Sequence, residues 1–235
     1  MPRSKRAKIV SLTKTDSKGL DGKKNLINEI QKGVESYGYI WVFSVENSRN
    51  TYLKDLRSSM KTSRFFFGKN KVMAKALGND SETELRDNLS KISERLSGDV
   101  GLLFTNTGPK EIKSHFDGYR ELDYARAGNR ATFDVVVESG EVKRGPSEES
   151  FPNNMEPQLR KLGMPTSLKK GKIVLDSDYT ICKQGQILTP EQAQLLKLFW
   201  VQMAEFHINL LCYWHNDEFV EVESTEKKDD AMESD

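Results

Sequence analysis

Cysteine is scarce in this chain of 235 residues: Cys182 and Cys212 are the only two, far apart and in no paired spacing. A scaffold held by disulfides is thereby excluded, and the pattern fits a reducing compartment. Long apolar runs are missing as well. None approaches the roughly 18 residues that a membrane helix needs, and the N-terminus has no signal-peptide core. Histidine occurs three times, at His115, His207 and His215, with no carboxylate or cysteine pattern of metal-site type beside it. A Walker-type phosphate loop is absent too: Ser63 stands where that pattern needs glycine, and Asn70 where it needs Ser or Thr. Neither cysteine lies in a nucleophile motif; Cys212, between Leu211 and Tyr213, reads as core. The acidic pair Glu148-Glu149 falls in a loop-like stretch, where carboxylates are simply solvated. No catalytic constellation, metal site or cofactor site is read from these residues, so the expectation is a protein that binds rather than an enzyme.

What is present is a soluble globular composition, 36% apolar and 30% charged, long enough for one large or two small domains. The net charge of +1 conceals an asymmetry. Residues 1–75 carry seventeen Lys and Arg against six Asp and Glu, whereas residues 216–235 carry two Lys against nine Asp and Glu. A basic front suits a polyanion partner, although a merely solvated surface has the same composition. The acidic end, 217–235, lacks a folding pattern and is expected to be disordered. The opening MPRSKRAK places Arg3, Lys5, Arg6 and Lys8 in a flexible arm, 1–19, that reads either as a nuclear-targeting patch or as an RNA-gripping segment.

The rest of the chain is organised around residues 57–77. Arg57 and Lys61 form a basic helix end, and Phe65, Phe66 and Phe67 read as a short buried strand. Gly68-Lys69-Asn70 then turns into a second helix carrying Lys71 and Lys75 beside Val72, Met73, Ala76 and Leu77. Cations gathered where a strand gives way to a helix N-terminus make an anion-gripping corner. The aromatics lack the alternating glycine pattern of an RNA-recognition motif, so they read as core.

Around this corner, apolar spacing predicts a helix over 21–37 ended by Gly38, with Lys23, Lys24 and Lys32 on its other positions. It predicts a strand at 39–45 and a helix from Asn50 or Thr51. A further helix is expected over 81–96, with Leu85, Leu89, Ile92 and Leu96 as its stripe and Ser81 and Glu84 as a capping box. A strand at 100–105 and a helix from Pro109 to about Tyr119 follow. Beyond 119 the texture is β-rich, with a strand at 132–138 and an expected hairpin of 172–175 against 179–183. A helix from Pro190 and a strand at 206–214 then return. The organisation read from this is a discontinuous α/β sandwich, 20–118 with 186–216, interrupted by a smaller β-rich domain at 119–185.

Several stretches carry a resemblance: YIWVF, LKDLRSSM, FFFGKNKVMAKALG and SGDVGLLFTN resemble the RNA-binding domain of the ribosomal stalk-base family, P-zero or L-ten. The opening MPRSKRAK and the segment NNMEPQLRKLGMPTSLKKGKIVL are similar to its nuclear assembly-factor branch, the mRNA turnover protein 4 family. The resemblance implies an α/β RNA-binding domain with an insertion. It implies binding of large-subunit rRNA at the stalk base in nucleolar pre-60S particles, beside the neighbouring stalk-base ribosomal protein. Such a factor holds the stalk protein's place until exchanged with the help of a zinc-containing, phosphatase-like release factor. Carried over by position, Arg57, Lys61, Gly68, Lys69, Asn70, Lys71 and Lys75 face rRNA, joined by the arm residues Arg3, Lys5, Arg6 and Lys8. The short tail KKDDAMESD has no aromatic for a translation factor, so no stalk-dimer partners and no membrane are expected. Two rival readings remain, a permanent large-subunit protein and an RNA-binding factor in mRNA turnover.

Overall fold

A near-continuous β-branched and aromatic run sets the centre of the fold: Ile40, Trp41, Val42 and Phe43 are all fully buried, without the alternation of a strand that faces water. The computed structural model describes residues 19–222. Arg3, Lys5, Arg6 and Lys8, and the acidic residues from 223 on, lie outside the described residues. In chain order the elements are α1 (Gly19–Ser36), β1 (Tyr39–Glu46), α2 (Asn50–Ser59), β2 (Arg64–Phe66), α3 (Asn70–Leu77), α4 (Leu89–Glu94) and β3 (Val100–Thr105). There follow α5 (Pro109–Asp117), β4 (Glu121–Asp123), β5 (Val135–Val137), β6 (Gly140–Glu141), β7 (Lys143–Arg144), β8 (Glu149–Ser150) and α6 (Glu156–Lys161). The chain closes with β9 (Thr166–Lys169), β10 (Lys172–Leu175), β11 (Tyr179–Cys182), α7 (Pro190–Leu198), β12 (Ala204–His215) and β13 (Glu218–Glu221). This is the mixed α/β composition expected from the alternating patterns.

Contacts divide the chain into two units: Met1–Phe43 with Thr62–Asn106 and Leu211–Asp235, and Ser44–Lys61 with Thr107–Leu210. The sequence pattern draws the inserted piece at 119–185; the second contact unit takes in more of the chain on both sides of that span.

In the first unit the strands run in the order β13-β12-β1-β3-β2, with β2 antiparallel to β3 through Arg64↔Phe104, Phe65↔Leu103 and Phe66↔Leu102. Ile30 and Val34 of α1, Met73, Ala76 and Leu77 of α3, and Leu89 and Ile92 of α4 share one core with Val42, Leu102, Phe104 and Trp214. Cys212 lies in that core as a free thiol, and burial pushes its pKa up to about 12. It behaves there as a small apolar side chain.

Two sequence expectations in this unit need correction. The helix predicted over 81–96 is formed only at Leu89–Glu94, and the Ser81/Glu84 capping box is not made. Glu84 works one turn later instead: its carboxylate accepts from the backbone N–H of Asn88 at 3.1 Å and of Ser90 at 2.9 Å. Leu85, assigned to the buried stripe, is 47% exposed. The hydrogen bonds from Ser90 hold the Glu84 carboxyl below its usual range. A depressed carboxyl stabilises the fold above its unfolded value and loses that contribution as pH falls through the folded one. Glu84→Gln is therefore expected to cost about 1 kcal/mol at pH 7, the size of a helix cap. In urea melts the difference from the parent chain shrinks as pH drops below 4.5, the ordinary value; a difference constant down to pH 3 would refute the charged cap.

The second correction concerns the acidic end. Beyond Asp217 the chain does not at once lose its structure: Asn216 and Asp217, at φ 47° and 63°, make a two-residue turn, and β13 pairs antiparallel with β12 from His215↔Glu218 to Cys212↔Glu221. Left-handed φ at both turn positions is the geometry that matches strand twist, and Asn and Asp tolerate it.

The second unit has its own core, in which Leu159, Ile173, Leu175, Ile181, Leu195 and Leu196 meet. Its strands form small sheets: β6-β10-β9, β11-β5 and β7-β8, with β4 on the first residues of β12. The expected hairpin of 172–175 with 179–183 is not formed. β10 instead pairs with β9 through a Lys170-Gly171 turn at φ 52° and 76°, and β11 pairs with β5. The Asp176-Ser177-Asp178 link suggests a turn; the charged stretch Thr166–Lys169 has no strand pattern, so its claim on β10 is hidden. The strand expected at 132–138 is reduced to Val135–Val137. α7 begins with a capping box absent from the sequence expectations: Gln192 N donates to Thr189 Oγ1 at 3.3 Å, and Thr189 N donates to Gln192 Oε1 at 2.9 Å.

Candidate nucleic-acid interface

Phe65 and Phe66 are buried in β2, while Phe67 leaves the strand and is 37% exposed, its ring edge-on to Phe43 at 5.4 Å. The three-phenylalanine run is thus two core residues and one at the surface, where the sequence pattern buries all three. Gly68 follows because the chain passes close to α1: a Cβ there would lie 2.6 Å from Leu26 Cδ2.

Lys69 is the residue before α3, and no side chain caps that helix. The first N–H groups of α3 and its dipole therefore meet an anion from outside on favourable terms. Lys69, Lys71 and Lys75 are exposed, and Lys71 and Lys75 are one helical turn apart. Among the described residues none of these three forms an ion pair. Asn70 is a scaffold rather than a free contact, since its amide donates to Gly98 O at 2.8 Å and ties the start of α3 to the loop before β3.

Beside this turn lies a cavity of about 670 Å³ lined by Lys23, Leu26 and Glu29 of α1 and by Phe67, Gly68 and Lys69. Lys23 thus joins Lys69 at one opening. Arg64 reaches Glu29 at 3.1 Å and lies 5.1 Å over the Phe66 ring. The sequence carries Lys23 only as one of several cations on a helix and gives Arg64 no role. No local signal ties position 23 to 69; the packing of α1 on α3 does.

The structure therefore brings Gly68, Lys69, Asn70, Lys71 and Lys75 together on one turn and helix. Arg57, in the last turn of α2, and Lys61, just beyond it, are exposed; both belong to the second contact unit. The arm residues fall outside the described region. Among the described residues no group of three His, Cys, Asp or Glu could hold a metal ion, and no helix is long and apolar enough to cross a membrane.

Comparison with known proteins assigns the chain. The family described as "Ribosomal protein L10" matches residues 18–120, and the insertion domain of the 60S ribosomal proteins of that type matches residues 125–201. The ribosome assembly factor mrt4 of Schizosaccharomyces pombe is 44% identical over 243 aligned positions, covering 99% of this chain and 100% of that protein. Its Saccharomyces cerevisiae counterpart is 38% identical, covering 96% and 98%. The large ribosomal subunit protein uL10 of Pyrobaculum aerophilum is more distant, 26% identical over 85% of this chain and 56% of its own length. By these matches over nearly its full length, the chain belongs to the Mrt4 family of ribosome assembly factors, within the wider L10 family and with that family's insertion domain.

Proposed function

We propose that this protein is a ribosome biogenesis factor that binds large-subunit rRNA at the stalk base of nucleolar pre-60S particles. It holds the place that a uL10-type protein later takes, beside the neighbouring stalk-base ribosomal protein, until a phosphatase-like factor releases it. The family membership supports the assembly role. The observation that carries the rRNA contact is the exposed set Lys69, Lys71 and Lys75 at the uncapped start of α3, without an ion pair among the described residues. Lysines so placed neutralise phosphates and release counterions, and the helix N–H groups fix register.

The test is sedimentation of the tagged full chain on a sucrose gradient with sequencing of the RNA that copurifies. Enrichment with precursor large subunits and absence from polysomes is expected. A polysome signal would instead favour a permanent subunit protein, the reading suggested by the distant uL10 likeness. Recovery of mRNA without rRNA would overturn both.

A further inference from the structure

A second concentration of positive charge lies in the second unit, on residues to which neither the sequence pattern nor the family likeness gives a role. A cavity of about 630 Å³ is lined by Arg49, Arg126, Arg144, Lys197 and Trp200, with Gln194 between, and no Asp or Glu is part of its wall. Carboxylates touch two of these cations from outside it. Arg49 Nε donates to Asp123, and its Nη2 donates to Tyr124 O at 3.1 Å, so this guanidinium is fixed in place. Arg144 Nη2 stands 3.8 Å from Glu149, an ion pair too long for a hydrogen bond. Arg126 uses Nη2 on Ser48 O at 3.0 Å and keeps its other donors, and the Lys197 ammonium has no ion pair among the described residues.

The aromatic member makes the cavity more than a charged dent. Trp200 has a left-handed backbone, φ 62°, and remains 39% exposed. Gly145, at φ +67°, admits it: a Cβ there would fall 2.5 Å from Trp200 Cε3. The Arg144 guanidinium lies 4.5 Å over the indole and 5.3 Å from the Phe151 ring, which sets its plane. Planar guanidinium groups held in fixed orientation match phosphate oxygens. An exposed indole beside them suits a nucleobase, for which an acidic peptide has no counterpart.

We infer that this cavity is a second RNA-backbone site: Arg126 and Lys197 engage phosphate, Arg49 and Arg144 supply fixed positive charge, and Trp200 flanks the adjoining base. The site extends the RNA-binding reading but is independent of the Lys69 turn.

The experiment uses the full chain labelled with 5-fluorotryptophan, titrated with a uridine 15-mer and followed by fluorine NMR. The chain has three tryptophans, and Trp41 and Trp214 are fully buried; Trp200→Phe identifies the third resonance. RNA is expected to move the Trp200 resonance while the other two stay in place. In Arg126→Gln with Lys197→Gln, the apparent Kd from that shift rises about tenfold, and the slope of log affinity against log salt falls by about two. Unmoved buried tryptophan signals show that this variant is folded. The Lys69→Glu, Lys71→Glu variant retains the Trp200 shift, so failure at one site is distinguishable from failure at the other. A Trp200 resonance indifferent to RNA, an equal shift in the double Gln variant, or a response to a glutamate 15-mer alone would each overturn the assignment, the last in favour of an acidic protein partner.

Discussion

Lys69→Glu combined with Lys71→Glu is expected to lower the affinity of the full chain for large-subunit rRNA on the order of a hundredfold at low salt. Both side chains are exposed and form no ion pair among the described residues, so neither helps to hold the fold. Their removal takes two cations from the start of α3, and glutamate sets two like charges against the phosphates. The salt response separates this from a general loss of structure. Each lost phosphate contact lowers the slope of log affinity against log salt by about 0.9, so a flattening of about two units should accompany the loss. Circular dichroism and the urea midpoint should stay within about 0.5 kcal/mol of the parent, as for other surface changes. Equal affinity across a salt series would remove the turn from the interface.

The largest effect on stability is expected at Phe104. It is fully buried at the centre of the first unit's core, edge-on to Phe66 at 5.2 Å and to Tyr37 at 6.1 Å. It therefore joins β3 to β2 and to the end of α1. Phe104→Ala leaves a cavity walled by three elements that cannot all close on it, and should cost about 3–5 kcal/mol in a urea melt. Phe133→Ala is the matched control: that ring is 44% exposed, and its loss should stay near 0.5 kcal/mol. A Phe104→Ala cost below about 1 kcal/mol would mean that the helices do not depend on this ring for their seat.

The features legible in the sequence are those whose signal is local. The buried runs at 39–45, 100–105 and 206–214 are strands, because β-branched and aromatic residues in a short unbroken run have few other ways to be covered. The turn at Gly68-Lys69-Asn70 is legible for the same reason, a glycine between an aromatic run and a helical stripe. What stays hidden depends on partners distant in sequence. Glu84 satisfies a capping pattern with Ser81 on paper, yet Asn88 and Ser90 take its carboxylate. Thr166–Lys169 looks like a solvated loop until Lys172–Leu175 lies beside it. Asn70 reads as a phosphate contact, and only the structure brings Gly98 to its amide. Lys23 and Lys69 share an opening because two helices pack, which no spacing rule records.

The composition of the first unit also sets an order of events during synthesis. Its sheet places β12 between β13 and β1, and Trp214, fully buried in its core, donates its indole N–H to Asp87 O at 2.9 Å. The segments that precede it, up to Asn106, leave the ribosome long before Leu211 does. Until then the apolar flank of β1 has no neighbour on the side that β12 will take. Local helices form in the meantime, but the long-range pairing that seals the sheet must wait, and an unpaired strand edge is a site of aggregation. A nascent chain of this protein thus passes through a prolonged stage with a bare strand edge, during which a cotranslational chaperone would find its natural target.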